Sequence, residues 1–375
     1  MNHSRRIASI DVARGLVMLL MTVDHVRETF FLQHQVGDPM DVATTPPALF
    51  FSRLAAHFCA PMFVFLTGLS AWLYAHPPAG PRSATGFLVK RGLLLLGLEI
   101  VAVNFAWTGT LLPSTLYLQV IWAIGLAMLA LALLQRLPLP LLALLGLAIV
   151  GGHNALAGVR FEPGTPMNAL WTILEQRGFL LESPLRVKVS YPVLAWIGVI
   201  LLGYACGPLY ARAMAPATRG RWLPGIGAGC LALLAVLRVP NVYGEPLAWS
   251  VQPDALHTVM SFLNFTKYPP SLDFLLLTLG CGLAALAWLE RLDNPFTRTC
   301  AVFGGAPLFY YLAHLYALLV LQKVAAALLG VARADVDHVW QVWAITALLA
   351  LGLYWPTRWF GRYKRESGKG WVKYF

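Results

Sequence analysis

The chain has 375 residues, 58% of them hydrophobic and only 12% charged, with a net charge of +11. A mean hydropathy of +0.65 excludes an ordinary soluble domain, in which roughly a quarter of the residues are charged. An all-α polytopic membrane protein is expected, its excess positive charge facing an anionic membrane surface, with no nucleic-acid partner.

A spanning helix needs roughly 20 mostly apolar residues. About ten stretches qualify: 7–32, 54–76, 88–107, 115–135, 139–157, 190–211, 222–239, 271–289, 301–322 and 338–359. The first mimics a signal peptide, but Asp11 and Arg14 interrupt its apolar run and no small-residue cleavage site follows, so a retained helix is expected. The seventh is short and rich in glycine. With the N-terminus placed in the cytoplasm, seventeen Lys and Arg residues fall on inner segments, from Arg5 and Arg6 through Lys90 and Arg91 to the C-terminal tail, against nine on outer segments. The positive-inside rule then places both termini in the cytoplasm. No long polar linker divides the chain, so 1–375 reads as one transmembrane domain, with 360–375 as a basic cytoplasmic tail. The cysteines lie in spans or at the inner edge, so no disulfide framework is expected. No ligand spacing supports a metal.

Helix one carries two charged sites. Asp11 and Arg14 are spaced i, i+3 near the inner surface, either as a self-satisfying ion pair or as a site for an anionic cofactor entering from the cytoplasm. Asp24 follows thirteen residues later, roughly 20 Å further out at about 1.5 Å per residue. Ionisable groups at membrane depth usually face a bundle interior or a wet cavity and mark function. His25 points about 100° away from Asp24, and helix two enters from the same side with Arg53 and His57. Imidazole beside a carboxylate is the usual general base for a hydroxyl or amine nucleophile, so His25, His57 and Asp24 are the catalytic candidates. Single membrane histidines also serve as plain interhelical hydrogen-bonders. Glu99 and Asn104 in helix three, Lys267 and Tyr268 before helix eight and His314 in helix nine join Arg53 as candidate substrate-binding residues, Glu99 being the strongest. Lys90 and Arg91 open helix three on the inner side, as Arg14 does on helix one. Tyr191-Pro192 and Tyr268-Pro269-Pro270 open two inward-running helices alike, hinting at an internal duplication.

The blocks RIASIDVARGLVMLLMTVDHVRETFF (6–31), FFSRLAAHFCAPMFVFLTGLSAWL (50–73), FLVKRGLLLLGLEIV (87–101), YPVLAWIGVILLGYACG (191–207), KYPPSLDFLLLTLG (267–280) and FGGAPLFYYLAHLY (303–316) resemble the bacterial branch of the heparan-alpha-glucosaminide N-acetyltransferase-like membrane family. The resemblance implies a transmembrane acyltransferase of the bacterial inner membrane, taking an acyl group from cytoplasmic acyl-CoA, acetyl-CoA in particular, to an amino or hydroxyl group of a sugar or glycan outside. No metal is expected, since the ligand spacing offers none. Arg14, Lys90 and Arg91 would then meet the CoA phosphates, with Asp11 beside Arg14 in the same cofactor site, and the outer histidines would activate the acceptor. The lysosomal branch places its catalytic histidine between its equivalents of helices one and two, and the nearest counterpart by distance is His34; His25 and His57 rank above it because they lie inside the matching blocks. The partners expected are the bilayer, the acceptor and, left open, further copies of the chain. A transporter or flippase for a lipid-linked sugar or small anion is the alternative, since it would use the same buried charges.

Overall fold

The computed structural model describes residues 8–375; Arg5 and Arg6 lie outside them. The helices are α1 (Ala8–Phe30), α2 (Pro47–Ala56), α3 (Cys59–Ala75), α4 (Thr85–Leu98), α5 (Asn104–Thr108), α6 (Val120–Leu134), α7 (Leu139–Gly152), α8 (Pro166–Leu174), α9 (Leu194–Ala205), α10 (Pro216–Arg238), α11 (Ala255–Phe262), α12 (Leu272–Leu289), α13 (Pro295–Gly305), α14 (Pro307–Leu329) and α15 (Val339–Glu366). Proline stands in the first turn of α2, α7, α8, α10, α13 and α14, where its missing N–H has no intrahelical partner to lose. The end of the bundle at which α1 begins is called proximal here, the other distal.

Among the described residues, six helical stretches are long and apolar enough to cross a membrane: Pro47–Ala75, Leu139–Leu156, Pro216–Arg238, Leu272–Leu289, Pro307–Leu329 and Val339–Glu366. The other expected spans depart from an uninterrupted apolar helix for physical reasons, and one of the six begins late. α1 carries ionisable side chains at both ends, and 88–107 is broken by a π-turn at Glu99–Val103. The 115–135 stretch opens as a strand, leaving a 15-residue helix. The 190–211 stretch holds the 12-residue α9 and a separate 3-10 turn. The 301–322 span begins instead at Pro307, because the chain breaks at Ala306 between α13 and α14. The expected 360–375 tail is helical as far as Glu366.

The all-α expectation is corrected by a small distal sheet. β1 (Thr115–Leu118), β2 (Gly178–Leu181) and β3 (Arg186–Val189) pair in the order β1-β3-β2, with β1 parallel and β2 antiparallel to β3. Its strands are four residues each, TLYL, GFLL and RVKV, too brief to read as strands against ten apolar runs.

The bundle is held by close helix crossings. α1 crosses α13 where a methyl at Gly15 would strike the Cys300 carbonyl and one at Gly304 the Asp11 carbonyl. α3 crosses α9 in the same way through Gly68 and Gly203. Small residues allow such backbone approach where lipid supplies no hydrophobic drive between helices. Gly15→Ala is expected to push α1 off α13 and cost about 1–3 kcal/mol, read as a lowered thermal midpoint in detergent. An unchanged midpoint would mean the crossing has slack.

Two distal loops are clasped over the bundle. Asp38 accepts from the backbone N–H groups of Lys267 at 3.0 Å and Tyr268 at 2.9 Å. Asn264 donates to the Met40 carbonyl at 2.6 Å and accepts from its N–H at 3.1 Å. The segment between α1 and α2 is thus tied to the one before α12. At the proximal end, Tyr374 stacks on Phe87 at 5.7 Å, and Val372 is buried with Ala306 and Phe360.

Candidate functional site

Arg14, Met18, Met21 and His25 are spaced four, three and four residues apart, which puts them on one stripe of α1. All four line a single cavity of about 240 Å³. From Arg14 to His25 the stripe rises roughly 16 Å at about 1.5 Å per residue, so the cavity joins the two charged ends of the bundle. Its middle is apolar, with Leu88, Leu95, Val120, Ile121, Ile124 and Met128 from α4 and α6 facing α1 and α3.

Arg14, Arg91 and Lys364 line the proximal end. Arg14 lies 3.4 Å from Asp11 and donates to the Leu66 carbonyl at 3.2 Å and to the Ser70 hydroxyl. Asp11 therefore positions a cavity cation. Lys90, one residue from Arg91, is turned about 100° on the helix to the exposed face and does not line the cavity.

Asp24, His25, Lys267, Tyr191 and Tyr311 line the distal end. Asp24 is the centre of three cations: Arg27 at 2.9 Å, Lys267 at 3.6 Å and Arg53 at 3.7 Å. Arg53 also reaches Asp38 at 3.9 Å. Burial raises the Asp38 carboxyl above its ordinary value against the opposing pull of Arg53 and Lys267. Asp24 thus gathers the cations of α1, α2 and the loop before α12, and does not orient His25. The partner of His25 is His314: Nδ1 of the first lies 2.7 Å from Nε2 of the second, and Nδ1 of His314 lies 2.9 Å from the Tyr310 carbonyl. Trp107 and Tyr311 set their rings edge-on to His25 at 5.2 and 6.1 Å. Tyr268 stands behind the cavity wall, its hydroxyl 3.0 Å from that of Tyr191, so the two tyrosine-proline segments meet.

Four expected site residues are placed elsewhere. His57 sits at the break between α2 and α3, buried, 5.2 Å from the Phe274 ring. Its neighbours Ala56 and Cys59 line the cavity and it does not; neither ring nitrogen has a hydrogen-bond partner among the described residues. His34 is exposed on the loop after α1, stacked on Phe31 at 4.5 Å. Glu99 serves the first turn of α6 with one oxygen, Oε2 accepting from the Trp122 N–H at 3.1 Å, while Oε1 has no hydrogen-bond partner among the described residues. Asn104 clamps β1 to the π-turn, donating to the Glu99 and Tyr117 carbonyls and accepting from the Tyr117 N–H. Both polar groups answer backbone demands that a broken helix creates.

Sequence patterns single out neither Tyr191, Tyr311 and Trp107 nor Lys364 as lining or facing the site. The signal that was present is the four-three-four spacing on α1, which marks a helix face and puts His25 on it.

One further group outside the spans is buried without a partner. Glu175 ends α8 beneath the small sheet, neither carboxylate oxygen has a hydrogen-bond partner among the described residues, and burial pushes its carboxyl up to about 8. Between its ordinary value near 4.5 and about 8 the folded protein holds a proton that the unfolded chain has released, so stability falls as pH rises through that window. In Glu175→Gln, the thermal midpoint is expected to drop less between about pH 5 and pH 8 than in the wild type. Parallel curves would show that Glu175 does not titrate with unfolding.

Several helices long and apolar enough to span a bilayer, packed around a charge-ended cavity, define a multi-pass membrane protein. The family model of the heparan-alpha-glucosaminide N-acetyltransferase catalytic domain matches residues 6–235. The chain belongs to this family of membrane acyltransferases, whose acetyltransferases use acetyl-CoA as co-substrate. Among curated proteins, none matches the chain. The matched residues take in α1 through most of α10, and Lys267, Tyr268 and His314 lie beyond them.

Proposed function

We propose that the protein transfers an acyl group, acetyl in the first instance, from cytoplasmic acyl-CoA to an amino or hydroxyl group of an extracytoplasmic sugar or glycan. The proximal end then faces the cytoplasm of a bacterium, with both termini on that side. The observation that carries this is the single cavity with Arg14, Arg91 and Lys364 at one end and His25 at the other. The proximal cations suit the CoA phosphates. The apolar middle suits an extended pantetheine arm, which would carry its thioester toward His25. The acceptor N–H or O–H then attacks the thioester carbonyl. A new bond to the acceptor forms, the C–S bond breaks, and the acceptor proton passes to the free ring nitrogen of His25 and on to the departing thiolate, giving CoA thiol.

The test uses purified protein in lipid nanodiscs with radiolabelled acetyl-CoA and a panel of amino sugars, following acceptor labelling together with thiol release. Saturable acetyl-CoA binding without labelling of any acceptor would leave the donor site standing and remove the sugar from the proposal. Arg91→Ala is expected to weaken acetyl-CoA binding by about tenfold or more, since a charge-assisted hydrogen bond contributes about 1.5–3 kcal/mol. Unchanged affinity in that variant would place the phosphates elsewhere. The break between α2 and α3 beside the cavity favours one second function, transport, because discontinuous helices recur at transporter sites. Solute flux in proteoliposomes without acyl transfer would select it.

A further inference from the structure

Resting on the transfer function proposed above, we infer that His314 is a positioning residue for the base, fixing the tautomer of His25 so that its lone pair faces the cavity. A carbonyl oxygen only accepts, so the 2.9 Å contact between His314 and the Tyr310 carbonyl requires the proton of neutral His314 to sit on Nδ1. Nε2 of His314 is then an acceptor, and the 2.7 Å contact makes Nδ1–H of His25 the donor. One proton position remains on a neutral imidazole, so Nε2 of His25 keeps its lone pair. That atom belongs to a residue on the cavity stripe, and it is the one a base would use.

The relay is anchored a step further back. The Tyr310 hydroxyl lies 3.0 Å from that of Thr22, which donates to the Met18 carbonyl at 2.9 Å. α14 is thus tied to α1 one turn before His25, and the rings of Tyr310 and His314 stack at 5.4 Å. When His25 accepts the acceptor proton on Nε2, Nδ1–H stays donated to His314. The proton later leaves from Nε2 to the thiolate, so His314 gains and loses no proton in the cycle. The logic resembles a serine-protease triad, in which a third group holds the histidine in the working tautomer. Here the third group is neutral, and its own orientation is set by a backbone carbonyl.

The experiment compares His25→Ala, His314→Ala and His314→Gln in nanodiscs, with kcat and KM for acetyl-CoA, and reads the ring-nitrogen tautomer of His25 by solid-state NMR on 15N-histidine protein. Gln is chosen because its side-chain oxygen can accept where Nε2 of His314 does. The expected result is a fall in kcat of about 10²-fold for His314→Ala at unchanged KM, less than the roughly 10⁴-fold seen when an anionic partner is lost from a triad. Partial recovery is expected in His314→Gln, and the wild-type His25 signal should show a protonated Nδ1 and a bare Nε2. If His25→Ala is inactive while both His314 variants turn over like the wild type, His314 is packing and the inference falls alone. If His25→Ala is fully active, the base itself is wrong and the inference falls with it. A wild-type His25 signal with the proton on Nε2 overturns the relay whatever the rates show.

Discussion

His25→Ala is expected to lower acyl transfer by about 10²–10⁴-fold, the usual contribution of a positioned general base, while leaving acetyl-CoA affinity within a factor of a few. The separation follows from the geometry: His25 and the proximal cations line opposite ends of one cavity, so removing an imidazole at the distal end leaves the phosphate contacts intact. His57→Ala and His34→Ala are the controls. His57 lies outside the cavity wall and His34 is exposed on the loop, and both variants should keep more than about a tenth of wild-type turnover, well above the 10²-fold loss that marks a base. A dead His34→Ala with an active His25→Ala would move the chemistry to the loop.

Asp24→Ala should cause the largest loss of stability of any single substitution at the distal site. It would leave Arg27, Arg53 and Lys267 together with their shared anion gone, and breaking a buried ion cluster by removing one partner costs about 3–5 kcal/mol. Because Lys267 and Tyr268 are also held by Asp38, the strain should appear first as opening of the clasped loops. Limited proteolysis between α1 and α2 and before α12 is the measurement. Asp24→Asn, combined with Lys267→Met to remove one cation, should recover part of the stability, as replacing a whole buried pair often does. A variant Asp24→Ala that melts and resists protease like the wild type would show that the cations find other anions.

Composition and run length made the membrane bundle legible, because a helix in lipid has no other way to satisfy its backbone. Interrupted helices were not, since a π-turn at Glu99 or a break at His57 leaves local hydropathy unchanged. The same gap explains Glu99 and Asn104: polar residues that repair a broken helix look, in sequence, like residues waiting for a substrate. Ionisable residues at depth could be found from their cost in lipid, which is why Asp24, Arg53, Lys267 and His314 all stood out. Their pairing could not, because no local period says which helix faces which. His314 was therefore expected beside the substrate, whereas it stands behind His25.

That pairing also sets a timetable for biosynthesis. His25 enters the membrane with the first helix, but its partner follows 289 residues later, on the order of tens of seconds at about 5–20 residues per second. Lys267 and the second loop of the distal clasp arrive late as well. During that interval the nascent chain carries Arg14, Arg91 and the apolar residues of α4 and α6, while Lys364, His314 and the α13–α14 part of the cavity wall are still to be made. Both ends of the cavity are therefore completed by the last quarter of the chain, which brings Lys364 to one and His314 to the other, so on the proposed function a truncated chain would be inert by construction.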